Sequence, residues 1–469
     1  MDGSGEVPLY RQIYLRFRQS IADGQLLAGE RVPSVRALAA ELNLARGTVE
    51  AAYQLLIGEG YLQARGPAGT VVAPLLQPIA RPAPMTAEST IAPTLVHSGA
   101  VPGPLQIGLP ALDEFPRKLW NRLTSHELRH SGVDGLIYPD SRGDAGLRAA
   151  VAGYLGVSRG IVCAARQVFI CAGYPGILDL ICRSLLKEGD QCWFEEPGYF
   201  LARRFLQEAG AQLVPVAVDA EGLNVEEGRC LADDARFAVV TPSHQSPLGV
   251  SLSLPRRQAL LDWANRKGSW IIEDDYDSEY RYQGRPLPAL KSIDNQGRVL
   301  YAGTFSKVLA PGLRLAYLVV PETQVERFAV MADRMHNHCP QLLQATIATF
   351  IRNGHFARHL KKMRSLYARR RALLINALHE HLGERLKVDQ QAGGMHIVGH
   401  LPAGYDDGEV AEHARLLGLA AVRLSVCYAG SENTQGLMLG FTNIASAQQA
   451  GEVVALLARA ISSAAPVPM

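Results

Sequence analysis

Lys307 stands in Gly303-Thr304-Phe305-Ser306-Lys307, and Arg314 follows in Pro311-Gly312-Leu313-Arg314. One short segment thus offers a primary amine, two hydroxyls and a planar cation. A lysine that condenses with a carbonyl needs a dry pocket that lowers its proton affinity. A phosphate ester needs hydroxyls, backbone N–H groups and a guanidinium. Lys307 is therefore the candidate for Schiff-base formation, and Thr304, Ser306 and Arg314 are candidates for anchoring a phosphate. A Ser-Lys pair after a strand is also an ordinary surface loop, so the weight of the segment depends on its company.

That company is spread along the chain. Asp274-Asp275-Tyr276 follows the apolar run Trp270–Glu273. A carboxylate there can keep the nitrogen of an electron-withdrawing ring protonated, and Tyr276 can hydrogen-bond a ring oxygen. Taken alone, an Asp pair after a strand is more often a helix cap. Ala172-Gly173-Tyr174 lies between a strand-like and a helix-like stretch, where backbone N–H groups bind phosphate; any tight turn uses glycine too. Tyr199, in Glu196-Pro197-Gly198-Tyr199, can stack on a ring or fill a core. Thr241–Gly249 supplies His244 or Gln245 as polar contacts, either of which can be structural instead.

The elements that must position these residues follow from periodicity. Gln167–Cys171, Gln191–Glu195, Phe237–Thr241, Trp270–Glu273, Val299–Ala302 and Leu315–Val320 read as strands, with longer helical stretches between several of them. That alternation predicts an α/β domain with a mostly parallel sheet, whose ligands gather beyond the carboxyl ends of its strands. Residues from about 340 to 380 read as helical and basic, through Arg358, His359, Lys361, Lys362, Arg364, Arg369, Arg370 and Arg371. Such a helix is ordinarily a solvated face.

A second domain precedes this one. The chain has 469 residues, too many for one small core. Pro74, Pro78, Pro82, Pro84, Pro93, Pro102 and Pro104 mark an interdomain linker over residues 74–104, or a long surface loop. Before it, Ile13, Phe17 and Ile21, then Val35, Leu38, Ala39 and Leu42, then Val49, Ala52, Tyr53 and Leu56 trace three amphipathic helices, with Ser34 at the N-cap of the second. Tyr61–Arg65 and Thr70–Ala73 flank Gly66-Pro67-Ala68-Gly69 as a hairpin. Three helices and a hairpin match a winged helix-turn-helix, with the third helix in the major groove of DNA. Arg46 and Thr48 then face base edges, Arg36 and Ser34 the backbone, and Gly69 brings the wing close. Residues 1–73 carry seven arginines against seven acids, so this module has no strong basic footprint. A protein-docking domain is the alternative.

Composition narrows the setting. The net charge of +2 selects no partner, and the seven cysteines form no Cys-x-x-Cys pair. We expect no metal site. No apolar run approaches about 18 residues, and no apolar leader opens the chain, so a cytoplasmic protein without a membrane span is expected.

Pro8–Ile13, Gly29–Ala39, Arg46–Val49 and Gly60–Leu62 closely resemble GntR-type DNA-binding domains; Ala45 stands where that family often has Ser. Ile272–Tyr282 and Gly303–Tyr317, in order with the other motifs, resemble the fold type I, pyridoxal-phosphate-dependent aminotransferases. From about residue 8 to 460 the chain resembles the MocR/GabR group of GntR regulators. The resemblance implies a winged helix-turn-helix at 8–73, the linker at 74–104, and an aminotransferase-like α/β domain at 105–465. It implies that Lys307 holds pyridoxal 5'-phosphate as a Schiff base, that Asp274 pairs with the ring nitrogen and Tyr276 with the ring oxygen, and that Tyr199 stacks on the ring. Gly173, Tyr174, Thr304, Ser306 and Arg314 would hold the phosphate. It further implies a head-to-tail homodimer on a DNA operator, responding to a small amine, an amino acid or the cofactor itself. Three departures stand out. Ser246 replaces a usual aromatic residue, and the Gln pair common after Gly173 is missing. Met438 occupies the place where many aminotransferases carry the arginine that grips a substrate carboxylate, with Arg423 as candidate substitute. At most a weak transamination half-reaction is then expected. A working aminotransferase and a cofactor-free repressor scaffold are the alternatives.

Overall fold

The computed structural model describes residues 7–74, 102–284, 287–389, 391–430 and 434–464. Most of the expected proline-rich linker lies outside these residues. The chain divides into two units, Met1–Gly99 and Ala100–Met469.

In the first unit, helices α1 (Leu9–Ala22), α2 (Val35–Glu41) and α3 (Arg46–Gly58) precede strands β1 (Leu62–Ala64) and β2 (Thr70–Val72). The helices bury the apolar faces read from the sequence: Ile13 and Ile21, Leu38 and Ala39, and Val49, Ala52, Tyr53 and Leu56 form one core. The Tyr53 hydroxyl donates to Pro33 O at 2.8 Å, tying α3 to the turn before α2. β1 and β2 pair antiparallel, Leu62 opposite Val72. The segment before α2 adds to this wing, with Arg31 bridging Val71 and Val32 N donating to Thr70 O. The helical pattern masked this third edge, because only four residues take part.

The second unit contains strands β3 (Val168–Cys171), β4 (Gln191–Glu196), β5 (Gln212–Asp219), β6 (Gly222–Leu223), β7 (Phe237–Val240), β8 (Trp270–Asp275), β9 (Val299–Thr304), β10 (Ala316–Val319), β11 (Lys387–Val388), β12 (His396–His400), β13 (Val422–Arg423) and β14 (Gly436–Gly440). Its helices are α4 (Arg117–His130), α5 (Ala145–Arg159), α6 (Gly173–Leu185), α7 (Phe200–Glu208), α8 (Val225–Ala232), α9 (Leu254–Lys267), α10 (Val325–Arg334), α11 (Gln341–Arg352), α12 (His355–His381), α13 (Asp407–Leu416) and α14 (Ala447–Ser463). Eight strands form the main sheet in the order β3-β10-β9-β8-β7-β4-β5-β6. β5, β4, β7, β8 and β9 run parallel. β10 is antiparallel to both of its neighbours. β11 to β14 form a separate antiparallel sheet in the order β11-β12-β14-β13.

Helices cover both faces of the main sheet, so its strands are buried on both sides and read as continuous apolar runs. Phe169, Phe194, Phe237, Ile272 and Leu300 share one core with α6, α7 and α10 residues. On the other face Trp193 stacks on Trp263 of α9 with ring centroids 3.9 Å apart. Both indole N–H groups donate to carbonyls, Trp193 to Ala232 and Trp263 to Asp233, each at 2.9 Å. The chain leaves β4 for β5 on one side and returns as β7 on the other. The order therefore reverses between β4 and β7, where doubly wound sheets open a crevice.

Two features were not expected from periodicity. β5 carries Pro215, which demotes a run to the sheet margin, and it lies one strand from the edge. The small sheet is built from strands of two to five residues, too short for a period to register.

Trp263→Ala removes the stacked ring and its N–H bond, and is expected to lower stability by roughly 3–5 kcal/mol. A shifted urea midpoint with unchanged slope would register this.

Candidate cofactor site

The carboxyl end of β8 is the centre of the site. Glu273, Asp274 and Asp275 are all buried there. Successive side chains on a strand point to opposite faces, so the two aspartates meet different surroundings. Asp275 pairs with the Arg159 guanidinium at 2.7 Å and accepts from the Tyr301 hydroxyl at 2.6 Å. Glu273 accepts the backbone N–H groups of Leu290 and Lys291, each at 2.8 Å. Asp274 has instead the Tyr174 hydroxyl beside it. Burial pushes the Asp274 carboxyl up to about 8, and the charges of Asp275 and Glu195 push the same way, against Tyr174 and Lys307. An acid in this position favours a proton or a cationic N–H facing it.

Lys307 follows β9 and donates from Nζ to Gly108 O at 2.9 Å. Burial lowers the proton affinity of its amine, opposed by Asp277 and Asp274. Gly108 has φ +76°, and a Cβ there would stand 2.7 Å from Lys307 Nζ. This position thus admits glycine alone without displacing the amine.

Aromatic and polar groups flank the amine. Tyr199 follows β4 and lies against Tyr174, ring centroids 6.5 Å apart. His244 Nδ1 stands 3.0 Å from the Tyr276 hydroxyl and 3.1 Å from Asp277 Oδ1. Gln245 is committed to the scaffold: its amide nitrogen donates to Pro197 O at 2.8 Å, and its oxygen accepts Leu248 N at 3.0 Å. It also donates to Glu195, which burial raises to about 7.

Around a third corner the antiparallel strand β10 brings distant residues together. Ala316 lies opposite both Thr304 and Cys171. Arg314, two residues earlier, therefore sits at the edge where β3 and β9 end. Its φ of +51° is left-handed, which is uncommon for a side chain of this size. Its Nη2 donates to Ala172 O at 3.4 Å, and its Cζ is 3.5 Å from where a Gly173 Cβ would be. Gly173, at φ +78°, opens α6. Thr304 Oγ1 accepts Ser306 N at 3.1 Å. A helix N-terminus, two hydroxyl residues and an exposed guanidinium thus share one corner.

A buried apolar cluster adjoins Gly108 and Tyr199 through their chain neighbours Ile107 and Phe200. Val398, Leu424, Cys427 and Met438 are buried together, with Ile107 and Phe200 packed against them. Cys427 Sγ and Met438 Sδ are 3.9 Å apart. Arg423 is exposed, with its guanidinium beside Gly408 in α13, and the structure does not bring it to Lys307.

In the first unit Arg46 begins α3 and is exposed, as is Arg36, while Thr48 is half-buried. Ser34 Oγ accepts Ala37 N at 3.2 Å, so its hydroxyl caps α2. Gly69 has φ +92°, and a Cβ there would press on Arg31 Nε at 2.7 Å; the glycine already serves the fold.

Arg159, Glu195 and Gly108 escaped the sequence reading, since their partners lie far away in the chain. Asp277 could have been found, being the third acid of Asp274-Asp275-Tyr276-Asp277.

A buried amine, a carboxyl without an ion-pair partner, a phenol, and a corner of hydroxyl, guanidinium and helix N-terminal groups at one sheet edge suit a site of the pyridoxal-phosphate type, on a chain that also carries a helix-turn-helix. Residues 9–72 match the bacterial regulatory proteins of the gntR family, and residues 111–426 match aminotransferase class I and II. The chain belongs to the GntR-family transcriptional regulators that carry an aminotransferase-like domain, the MocR type. It is 37% identical to the probable rhizopine catabolism regulatory protein MocR of Rhizobium meliloti, covering 95% of this chain and 92% of that one. It is 31% identical to the pyridoxine biosynthesis regulator PdxR of Corynebacterium glutamicum, covering 92% and 91%. Its second unit is similar to the kynurenine aminotransferase of Pyrococcus horikoshii, with TM-score 0.70, 28% identity and coverage of 76% and 90%. The protein is thus a DNA-binding regulator whose aminotransferase-like domain binds pyridoxal phosphate. Among the described residues, no helix is long and apolar enough to cross a membrane.

The raised Asp274 carboxyl has a pH signature in protein freed of cofactor. A carboxyl whose folded value lies near 8, above its ordinary 3.8, binds more protons folded than unfolded between those values. Its contribution to stability therefore falls as pH rises from about 4 to about 8 and is flat above. Asp274→Asn is expected to gain on the wild type at pH 8 relative to pH 5, as read from urea midpoints.

Proposed function

We propose that the second unit senses a small amine, an amino acid or pyridoxal phosphate itself, and that occupancy of the Lys307 site alters DNA binding by the first unit. Domain limits of 8–73, 74–104 and 105–465 go with this reading. Lys307 is the covalent attachment point. Asp274 holds a ring N–H, Tyr276 donates to a ring oxygen with His244 and Asp277 behind it, and Tyr199 covers a ring face. Gly173, Tyr174, Thr304, Ser306 and Arg314 hold the phosphate. Pyridoxal phosphate, when bound, supplies an aldehyde that an amine can capture. Burial keeps the Lys307 amine ready to shed its proton, and the Asp274 carboxyl balances positive charge on the ring. Ser34, Arg36, Arg46, Thr48 and Gly69 form the DNA-facing surface.

The observation that favours sensing over turnover is the apolar cluster at Met438. Met438 packs on Cys427 next to Ile107 and Phe200, and Arg423 is turned to α13. These cluster residues carry no charge, and Arg203 beside them is committed to the carbonyls of Val426 and Cys427; buried carboxylates without a counter-charge are costly. A ligand can bias a regulator only if it binds one arrangement better than another.

Lys307→Ala is expected to abolish the visible absorbance that pyridoxal phosphate gives with the wild type, and the ligand response of DNA binding with it. Arg46→Ala is expected to lose affinity for duplexes selected by the wild type, with the visible band intact. A DNA response that survives in the lysine variant would sink the sensing assignment. Rapid turnover of amino donors with 2-oxoacids would favour an enzyme.

We further propose a homodimer through the segment 133–138. Val133, Leu136, Ile137 and Tyr138 are 76%, 80%, 61% and 87% exposed, an unusual apolar display for one short stretch. Ile137→Asp is expected to shift sedimentation towards the monomer; an unchanged profile would remove this face from consideration.

A further inference from the structure

The protein binds DNA, yet its reading module is electrically neutral, with seven arginines against seven acids in residues 1–73. Affinity for duplex DNA comes largely from cations that replace counterions on phosphates, so the charge must lie elsewhere. It is concentrated on three helices of the second unit. α4, α11 and α12 together carry twelve lysines and arginines and two acids, in a chain of net charge +2.

The three helices form one surface. The Thr346 and Thr349 hydroxyls of α11 reach Thr124 and Glu127 of α4. Glu114, just before α4, pairs with Lys362 of α12 at 2.6 Å. Arg122 of α4 and Arg358 of α12 both act on His355, which burial and these two charges hold below its ordinary value. The two acids of the helices are set aside. Glu127 accepts from Thr349, and Glu380 lies at the far end of α12. Lysine and arginine ion pairs on these helices, among the described residues, are Lys362 with Glu114 and Arg370 with Asp113. Lys118, Arg122 and Arg129, and Arg358, Lys361 and Arg369, remain exposed outside those pairs. Lys118, Arg122 and Arg129 fall on one face of α4, and Arg358 and Arg369 on one face of α12. Each stripe extends about 16 Å, a length over which a duplex carries roughly nine phosphate charges.

Like charges at these spacings repel one another, a cost that a bound polyanion removes. We propose that the exposed face of α4 and the first half of α12 is a second DNA-binding surface, which holds the phosphate backbone without reading sequence. It supplies the electrostatic affinity that the reading module lacks. A basic helix is ordinarily just solvated; here the imbalance on three adjoining helices, in a DNA-binding protein whose reading module is neutral, favours the polyanion.

The test uses the full chain and a fluorescent duplex of arbitrary sequence, about 40 base pairs long, titrated across potassium chloride concentrations. The variant combines Lys118→Gln, Arg122→Gln, Arg129→Gln, Arg358→Gln and Lys361→Gln. The slope of log affinity against log salt is expected to become shallower by about three, with affinity at low salt down tenfold or more. A charge-retaining variant, with lysine and arginine exchanged at the same positions, is expected to bind like the wild type. Equal slope and affinity in the neutralised variant would overturn the proposal, including where transcription nonetheless falls, which would mark an acidic protein partner. Should the combined variant fail to fold, as judged by its visible band with pyridoxal phosphate and its melting, the α4 and α12 subsets give the same slopes separately.

Discussion

The site depends on how a folded protein treats two adjacent carboxyls at the end of one buried strand. The pleat of β8 separates Asp274 from Asp275 by turning them to opposite faces. Asp275 is held within the fold by Arg159 and Tyr301, both on its Oδ2. Asp274 is left with a phenol and a lysine, and burial holds it near neutral form. Were Arg159 on the other face, Asp274 would be a satisfied structural acid and no ring N–H would be wanted there. The neighbouring residues follow the same asymmetry. Burial lowers the proton affinity of Lys307, and Asp277 and Asp274 oppose that shift.

The sheet order explains why residues far apart in sequence converge. β3, β9, β8, β7 and β4 all end at one edge, and β10 starts there because it alone is reversed between β3 and β9. The reversal of strand order beside β4 opens the crevice into which Tyr199 and His244 project their chain positions. Function thus falls where a doubly wound sheet has room, and a helix-covered sheet has none elsewhere.

Much of this was legible in the sequence. The strands that carry Asp274, Lys307 and Gly173 are continuous apolar runs, because both of their faces are buried. The three N-terminal helices are legible for the opposite reason, each having one solvated face. What escaped was long-range. Gly108 looks like any turn glycine until Lys307 is seen against it, 199 residues away. Arg159 reads as a basic residue at the end of α5, and only the fold makes it the counter-ion of Asp275. Gln245 and His244 are adjacent and equally polar, but one braces a loop while the other faces Tyr276. The short strands β11 to β14 have too few residues for alternation to mean anything. Ser34 and Gly69 were read for DNA contact, and their hydrogen bond and backbone angle have local duties as well.

The register of β10 has one more consequence. Ala316 is locked opposite Thr304, so the chain between them is a closed loop with both ends pinned by the same ladder. Lys307 and Arg314 both hang on that loop. Its length acts as a fixed calliper between a covalent tether and an anion grip. A single inserted or deleted residue cannot be passed on to β10, because sliding it would turn every one of its side chains to the wrong face, so the change stays in the loop and alters the span. The span between the two groups is therefore set by the whole sheet, and not merely by the residues that face the pocket.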